Sequence, residues 1–318
     1  MHNRKKGMIK TMDKSVFYFP GWTKKSLSFT IDDGYVPMDK KFLDIIKPAG
    51  LRGTFNLTTP LWAFSPEEYG RFYEGYEIAN HCRYHAYPMT PETNKPLGDG
   101  IFDPATADRA FRYKTEEEGI YRVYTYDWTY AAEDEVFMEL VDSCEKDLEA
   151  IFGKGKVRGF IWPCGEQNNP HVLDMLIKYG FSSLRRTGCM GDSENFDLPH
   201  DRMHWSYTAD CNSLLRCAEQ YEAYPDDGKL KFFCFGVHSS DFEGAHKWDD
   251  LVEYCERYGN RPDDFYYAGV DEILTYEDAV NAAKVSGDAI TNPSEVTLYA
   301  IVDGKRITVA PGDTVKIG

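Results

Sequence analysis

The chain has 318 residues, of which 42% are hydrophobic and 15% aromatic, enough for one large globular domain or two modest ones. Its formal charge of −16, from 36 basic and 52 acidic residues, argues against nucleic acid or an anionic membrane surface as a partner. No stretch approaches the roughly 20 apolar residues of a membrane span, and no apolar signal segment follows the first basic residues. We therefore expect the chain as given to be cytoplasmic.

Predicted strands and helices alternate along most of the chain. The strands are expected at 26–31, 52–57, 76–80, 157–162, 181–185, 230–237 and 265–268. The helices are expected at 38–47, 133–152, 171–179, 249–258 and 271–283. This alternation predicts an α/β fold with parallel strands and crossover helices. The strand count favours a barrel, and no G-x-G-x-x-G loop follows the first strand to support a dinucleotide-binding sheet.

Two segments depart from a minimal barrel. The first is an insertion at 86–132, whose aromatic run at 121–130 would be either a rim that stacks on sugar rings or a hairpin covering its own core. The second is 288–318, a small β appendage with a predicted hairpin and a third strand at 314–317. We divide the chain into a barrel domain, 1–287, and this appendage, which is too small to fold alone and should dock on the barrel.

Two adjacent acids, Asp32 and Asp33, end the first predicted strand in the sequence SFTIDDGY. Ionising two neighbouring carboxylates in a partly buried position is costly, and a bound cation is the usual compensation. Adjacent side chains on an extended backbone point in opposite directions, so one aspartate can hold a metal while the other has a different task. The alternative is that Asp-Asp-Gly forms an ordinary tight turn.

A second group of candidate ligands lies in the sequence NHCRYH, which contains His81 and His85. The two histidines are four residues apart and would share one face if this segment were helical. Together with Asp33 they would give a metal three protein ligands and leave a position open for water, the pattern of a catalytic site. A similar pair, His200 and His204, has no acidic pair ahead of it, and we interpret it as a surface or rim segment.

Four short motifs occur in a fixed order along residues 25–280 and carry a family resemblance. TIDDG at 30–34 resembles the first motif, T-F-D-D-G, of the polysaccharide deacetylases, the NodB-type carbohydrate esterases, and NHCRYH at 80–85 resembles their second, H-S/T-x-x-H. FIWPCG at 160–165 aligns with the third, and FGVH at 235–238 is similar to the late strand that delivers a catalytic histidine. The resemblance implies the distorted, incomplete (β/α) barrel of this family.

The resemblance also implies a metal-assisted hydrolysis of an acetyl group on an amino sugar or sugar alcohol. The three candidate ligands would hold an ion that acidifies water and polarises the carbonyl, with Asp32 as general base. The backbone N–H of Cys164 would help to stabilise the oxyanion, and His238 would protonate the leaving group. Asp241 or Asp210 could orient the His238 ring. The alternative for His238 is a satisfied core histidine.

The third motif departs from the family pattern. Members carry an arginine that pairs with the base aspartate, whereas this chain has Ile161 or Trp162 there, and Arg158 lies three residues further back. Without that partner, Asp32 would be tuned differently or by a residue from elsewhere in the chain. Trp162 would either wall the acetyl pocket or belong to the core. Tyr35, directly after the first motif, is the second candidate for substrate contact.

Three functions remain open at this stage. The first is a deacetylase of an acetylated carbohydrate, the second a hydrolase of another small amide such as a cyclic imide or ureide, and the third a non-catalytic sugar-binding protein that lost turnover with the altered third motif. Two histidines and one aspartate suit Zn²⁺, although Co²⁺, Ni²⁺ and Mn²⁺ accept the same ligands. The eight cysteines form no C-x-x-C pair and are expected to be free thiols.

Overall fold

The computed structural model describes residues 14–88, 111–115, 119–123, 131–132, 134–165, 169–186, 196–286 and 288–317. The strands in these residues are β1 (Phe17–Tyr18), β2 (Lys25–Asp33), β3 (Thr54–Thr59), β4 (Glu77–Arg83), β5 (Tyr87–Pro88), β6 (Phe111–Thr115), β7 (Gly119–Val123), β8 (Ala131–Ala132), β9 (Val157–Ile161), β10 (Ser183–Arg185), β11 (Lys231–His238), β12 (Phe265–Tyr267), β13 (Lys284–Ser286), β14 (Ala289–Thr291), β15 (Leu298–Val302), β16 (Lys305–Val309) and β17 (Thr314–Lys316). The helices are α1 (Val36–Ile46), α2 (Pro66–Phe72), α3 (Asp134–Phe152), α4 (Pro170–Tyr179), α5 (Leu214–Ala223), α6 (Ser239–Gly244), α7 (Trp248–Tyr258) and α8 (Val270–Ala282).

Seven of the strands form one parallel sheet, in the order β10-β9-β4-β3-β2-β11, with β12 beside the first residues of β2. All the strand pairs in this sheet are parallel. Their carboxyl ends therefore meet at one edge, and the register places Asp32 between Asn56 of β3 and His238 of β11. The predicted α/β class and the predicted parallel strands are confirmed.

The sheet curls into an incomplete barrel that an irregular segment, 205–209, closes. This segment forms a single parallel bridge from Trp205 to Arg185 on one edge strand and another from Ala209 to Phe235 on the other. The irregular segment thus fills the gap between β10 and β11, and its backbone bridges to both edge strands although it is not itself a strand. The distorted, incomplete (β/α) barrel expected from the sequence is the observed architecture.

Side chains along β2 alternate between two buried environments. Phe29 and Ile31 belong to an apolar cluster beneath the helices, where Phe29 packs edge-on against Phe42 of α1 with ring centroids 5.2 Å apart. The intervening Thr30 and Asp32 are also buried, on the opposite face of the sheet. The alternation therefore directs the carboxylate of Asp32 away from the apolar cluster that anchors the strand.

The secondary-structure predictions are correct for the main strands and helices, with boundaries shifted by one to three residues. Three helices, α2, α5 and α6, were not predicted. Helix α2 nevertheless carries a readable start signal, because Ser65 accepts from the backbone N–H of Glu68 while the Glu68 carboxylate accepts from the N–H of Ser65. None of the helices in the described parts of the chain is both long and apolar enough to cross a membrane.

The appendage contains the predicted hairpin, β15 and β16, but its third strand was placed wrongly. Strand β17 pairs with β14, in a separate three-stranded sheet with β13, and the third strand beside the hairpin is β1 from the start of the chain. Leu298 and Val309 pack in the same buried cluster as Phe17 and Ile273 of α8. The hairpin therefore docks on α8 through an apolar interface, and the division at 287/288 stays a proposal.

The insertion at 86–132 is described only in part. Strands β6 and β7 pair with each other in an antiparallel ladder, from Phe111 opposite Val123 to Thr115 opposite Gly119. The end of β7 covers the first residues of the aromatic run predicted at 121–130. Its remainder, 124–130, lies outside the described residues, so both interpretations of the run stay open.

Candidate active site

The two aspartates at the end of β2 lie at the carboxyl edge of the sheet. Asp33 has a φ of 76° and Gly34 a φ of 75°, so the extended conformation ends at Asp33. A Cβ added to Gly34 would lie 2.8 Å from the Leu57 side chain, so a larger residue fits neither the backbone nor the space. This turn leaves Asp33 Oδ2 3.8 Å from Nε2 of His238 on the neighbouring strand.

The histidine pair is not on a helix, which corrects the arrangement considered from the spacing. His81 lies in β4, and His85 lies two residues beyond its end. Cys82, Tyr84 and His85 have φ values of 59°, 58° and 53°, and these left-handed residues fold the chain back on itself. The imidazole rings of the two histidines consequently meet edge to face, with centroids 4.9 Å apart.

Asp33, His81 and His85 form a cluster that fits a divalent metal ion. Their ligand atoms all lie within 4.8 Å of one another, and Oδ1 of Asp33 is 3.3 Å from Nε2 of His81 and 3.7 Å from Nε2 of His85. Nδ1 of His81 donates to the carbonyl of Ile161 at 2.9 Å, which leaves the Nε2 lone pair directed at the cluster. Asp33 Oδ1 and His81 Nε2 are buried without a hydrogen-bond partner. A cation would satisfy both.

The ionisation of the cluster also suits a metal. Burial is the largest influence on Asp33 and pushes its pKa up, but the adjacent imidazoles of His81, His238 and His85 hold that pKa well below its usual range. Burial lowers the pKa of His85 to about 4, so its imidazole is neutral near pH 7. Near pH 7 the Asp33 carboxylate is therefore ionised and the His85 imidazole is neutral, so neither has to release a proton before it binds a metal ion.

Asp32 receives its partner from β10, a strand that the sequence did not connect with it. Arg185, which is 0% exposed, donates a short hydrogen bond through Nη2 to Oδ1 of Asp32, and Asn56 donates to the same oxygen at 2.7 Å. Burial raises the pKa of Asp32, but Arg185 and then His81 and His238 outweigh it, so the net pKa is lowered. Asp32 is therefore an ionised carboxylate with one oxygen fixed by two donors.

The arginine missing from the third motif is thus supplied from elsewhere in the chain. Arg158, the nearest candidate in sequence, lies near the start of β9 and pairs with Asp271 at 3.1 Å, away from the carboxyl edge of the sheet. Arg185 was missed because 153 residues separate it from Asp32. The one available signal was an arginine at the end of the predicted strand 181–185.

The closing segment of the barrel covers Arg185. The guanidinium carbon lies 5.4 Å from the ring centroid of Tyr207, within the range of a cation–π contact. A Cβ added to Gly236 of β11 would lie 2.1 Å from that ring. The missing side chain at Gly236 therefore makes room for Tyr207, and Tyr207 covers Arg185.

His238 pairs with Asp241 rather than with Asp210. Nδ1 of His238 donates to Oδ2 of Asp241 at 3.0 Å, whereas Asp210 accepts from the backbone of Asn212 and from Ser213 in its own turn. Burial lowers the pKa of His238, but the bond to Asp241 and the charge of Asp33 raise it to about 9. A cation on Asp33 would weaken that contribution and bring the pKa closer to neutrality.

The other residues singled out from the sequence lie in the core, just beyond a strand, at a helix start and on the surface. Trp162 is 1% exposed and stacks on Phe137 with ring centroids 6.2 Å apart, which favours the core role over a wall of the substrate pocket. Cys164 is an exposed thiol just beyond β9 with a φ of 57°, and Tyr35 precedes α1 as its N-cap. The substrate roles of Tyr35 and Cys164 stay predictions. His204 bonds Asp201 at 2.8 Å, as expected of a surface pair.

Carboxylates and histidines gathered at the carboxyl edge of an incomplete (β/α) barrel define a hydrolase-like site, and the sequence identifies its family. The family model described as "Polysaccharide deacetylase" matches residues 21–183, slightly more than half of the chain. The chain therefore belongs to the polysaccharide deacetylase family. No curated protein sequence matches it significantly.

Three solved structures are similar in overall arrangement. A family 4 carbohydrate esterase from Bacillus anthracis is 13% identical over 79% of this chain and 83% of its own, with a TM-score of 0.43. PdaA of Bacillus subtilis, also a family 4 carbohydrate esterase, is 18% identical over 83% and 86%, with a TM-score of 0.41. A family 4 pseudoenzyme from Bacillus anthracis is 14% identical over 79% and 66%, with a TM-score of 0.40. These similarities are low, and the family assignment rests on the sequence model.

Proposed function

We propose that the protein is a metal-dependent hydrolase that removes N- or O-linked acetyl groups from a carbohydrate. The observation that carries this proposal is the position of the Asp33, His81 and His85 cluster between two further groups of opposite character. One is a carboxylate held ionised by Arg185, and the other is His238, which Asp241 keeps protonated to higher pH. Family membership supports acetylated carbohydrate as the substrate class.

The cluster would hold the metal ion, with Zn²⁺ the first candidate, and Co²⁺, Ni²⁺ and Mn²⁺ as alternatives. Such an ion supplies a Lewis acid, which polarises a carbonyl oxygen and lowers the pKa of water. The two buried atoms without hydrogen-bond partners, Asp33 Oδ1 and His81 Nε2, support a cation at this place. His85 completes the set from the turn beyond β4.

The protein side chains carry the proton transfers. Arg185 and Asn56 both donate to Oδ1 of Asp32, so accepting the proton of the attacking water falls to Oδ2. His238, fixed through Nδ1 by Asp241, presents Nε2–H to the leaving nitrogen or oxygen. The backbone N–H of Cys164 stays our candidate for stabilising the oxyanion.

The opposed pKa shifts of Asp32 and His238 support these two roles. The pKa of Asp32 is lowered, so it is a base over the whole neutral range, whereas the bond to Asp241 raises the pKa of His238, so that its imidazole stays protonated to higher pH. Two neighbouring groups whose environments separate their pKa values in this way are typical of a general base and a general acid working together. The pair supports turnover at neutral pH.

The reason for considering a non-catalytic sugar-binding protein no longer applies. It depended on the absence of an arginine beside the base aspartate, and Arg185 fills that position from β10. No contact in the described residues favours a cyclic imide or ureide over an acetylated sugar. The acetylated carbohydrate is therefore the proposal, and the cyclic amides serve as competing substrates in its test.

The direct test is acetate release by the zinc-loaded protein from acetylated chito-oligosaccharides and xylo-oligosaccharides, with a cyclic imide assayed in parallel. We expect acetate from at least one of the two carbohydrates and no ring opening. Asp32→Asn should abolish release while zinc affinity is kept, because Asp32 is not a ligand. Ring opening without acetate release would transfer the proposal to the amide substrates. No turnover with any of them would favour the binding role.

A further inference from the structure

We propose that Asp39, a buried acid that touches neither the metal cluster nor His238, is a positioning residue that holds the His238–Asp241 pair in place for acid catalysis. This inference rests on the proposed hydrolase function, which it extends. Asp39 lies in the first turn of α1, directly after the turn that carries Asp33. It therefore connects the metal-ligand end of β2 to the helix that follows β11.

The acid pair depends on a helix that is too short to place itself. His238 is the N-cap of α6 and Asp241 is its third residue, with Oδ2 of Asp241 accepting from both the backbone N–H and Nδ1 of His238 at 3.0 Å. Helix α6 has only six residues, and isolated helices of this length are unstable in water. The orientation of the acid pair is therefore set by what α6 contacts.

Helix α6 packs on α1 through contacts of different kinds, and the hydrogen bond from Ser239 to Asp39 is a buried polar one. Lys41 and Glu243 form an exposed ion pair at 2.9 Å, which contributes little. Phe242 packs on Phe42 with ring centroids 5.9 Å apart, an apolar contact that tolerates sliding and rotation. The hydroxyl of Ser239, the first residue of α6, donates to Asp39 at 2.6 Å, and this directional bond fixes the start of the helix.

Asp39 also accepts a hydrogen bond on the side away from α6. It is 0% exposed, and its second oxygen accepts from the hydroxyl of Tyr73, which is 1% exposed, at 2.6 Å. Both carboxylate oxygens are therefore occupied, one toward α6 and one away from it. The two bonds are equal in length, so the one to Tyr73 provides a matched control for the one to Ser239.

The test compares Ser239→Ala and Asp39→Asn with Tyr73→Phe in the zinc-loaded protein, using two substrates that differ in their need for an acid. An acetylated amino sugar must be protonated as it leaves, whereas the nitrophenolate of 4-nitrophenyl acetate leaves without a proton. For Ser239→Ala and Asp39→Asn we expect kcat on the sugar to fall about tenfold with KM unchanged, and kcat on the nitrophenyl ester to stay within about twofold. Tyr73→Phe should leave both substrates within about twofold.

A second readout does not depend on turnover. The Nδ1–H proton of His238 is hydrogen-bonded to Asp241, which slows its exchange with water and moves its NMR signal downfield. We expect this signal in the wild type and in Tyr73→Phe. That signal should broaden or vanish in Ser239→Ala and Asp39→Asn, because the helix start is then no longer fixed.

The positioning role is overturned if the signal persists in all variants, or if the two substrates slow equally. If the wild type hydrolyses neither substrate, the proposed function fails, and the NMR comparison alone decides the positioning role. Loss of the signal in Ser239→Ala and Asp39→Asn, with its retention in Tyr73→Phe, would establish that role independently of the reaction.

Discussion

Replacing Arg185 with methionine should damage both stability and the general base. The side chains of Arg185 and Asp32 are 1% and 6% exposed, so the substitution leaves a buried carboxylate without its cation. Breaking such a pair from one side costs about 3–5 kcal/mol of unfolding free energy. Burial is the largest influence on Asp32 and acts to raise its pKa, so without Arg185 the pKa rises. The acid limb of the kcat/KM profile should then move to higher pH, so that the variant loses the most activity at the acid end of the range.

The assay is kcat/KM between pH 5 and 10, together with urea unfolding and a zinc titration. Arg158→Met is the matched control, because it removes the same charge from an arginine that is half exposed and paired with Asp271. We expect the control to lose stability as well, because Asp271 is buried, but to keep the wild-type pH profile, because Arg158 lies away from the carboxyl edge of the sheet. Zinc affinity should change little in either variant. An acid limb that stays in place in Arg185→Met would refute the assignment of Arg185 as the partner of the base.

The remaining predictions concern His238, the closing segment and the buried acid of α1. Asp241→Asn removes the bond that raises the pKa of His238 to about 9, so the alkaline limb of kcat should move to lower pH; an unchanged limb would contradict the acid role. Gly236→Ala places a Cβ 2.1 Å from the Tyr207 ring and should cost about 1–3 kcal/mol in urea unfolding, with an acid limb shifted as in Arg185→Met. Burial raises the pKa of Asp39 from 3.8 to about 7, so its contribution is fully present below pH 3.8 and is lost as the pH rises through 7. Relative to Asp39→Asn, the zinc-free wild type should therefore lose up to about 4 kcal/mol between pH 4 and 8, and parallel stability curves would contradict this.

The sequence predicted the parts of the site that depend on short motifs and on the strand order. Asp32, Asp33, His81, Cys164 and His238 were all expected at or just past strand ends, and parallel strands bring such ends to one edge. Local sequence was enough here because each strand carries its own functional residue. The pair His81 and His85 was considered as one face of a helix, whereas the structure places it at the end of a strand. A spacing of four does not distinguish a helix from a strand that ends in left-handed residues.

Partners distant in sequence could not be predicted. Arg185 in β10 and Asp32 in β2 are separated by the three strands β9, β4 and β3. They meet only because the sheet is curled, and no local pattern reports that curvature. Asp39 and Ser239 are 200 residues apart, and each is an ordinary residue at a helix start. For the same reason β17 was recognised as a strand but assigned to the wrong sheet, since its own sequence does not encode its neighbour.

The most direct test of the metal site is a calorimetric titration of zinc into chelator-stripped protein. The wild type is compared with the double variant His81→Ala, His85→Ala and with His200→Ala, His204→Ala, which removes the surface pair of the same spacing. We predict one tight site in the wild type, the same site in the surface variant, and none in the His81/His85 variant. No site in the wild type, or one that survives the loss of His81 and His85, would contradict a metal centre at Asp33.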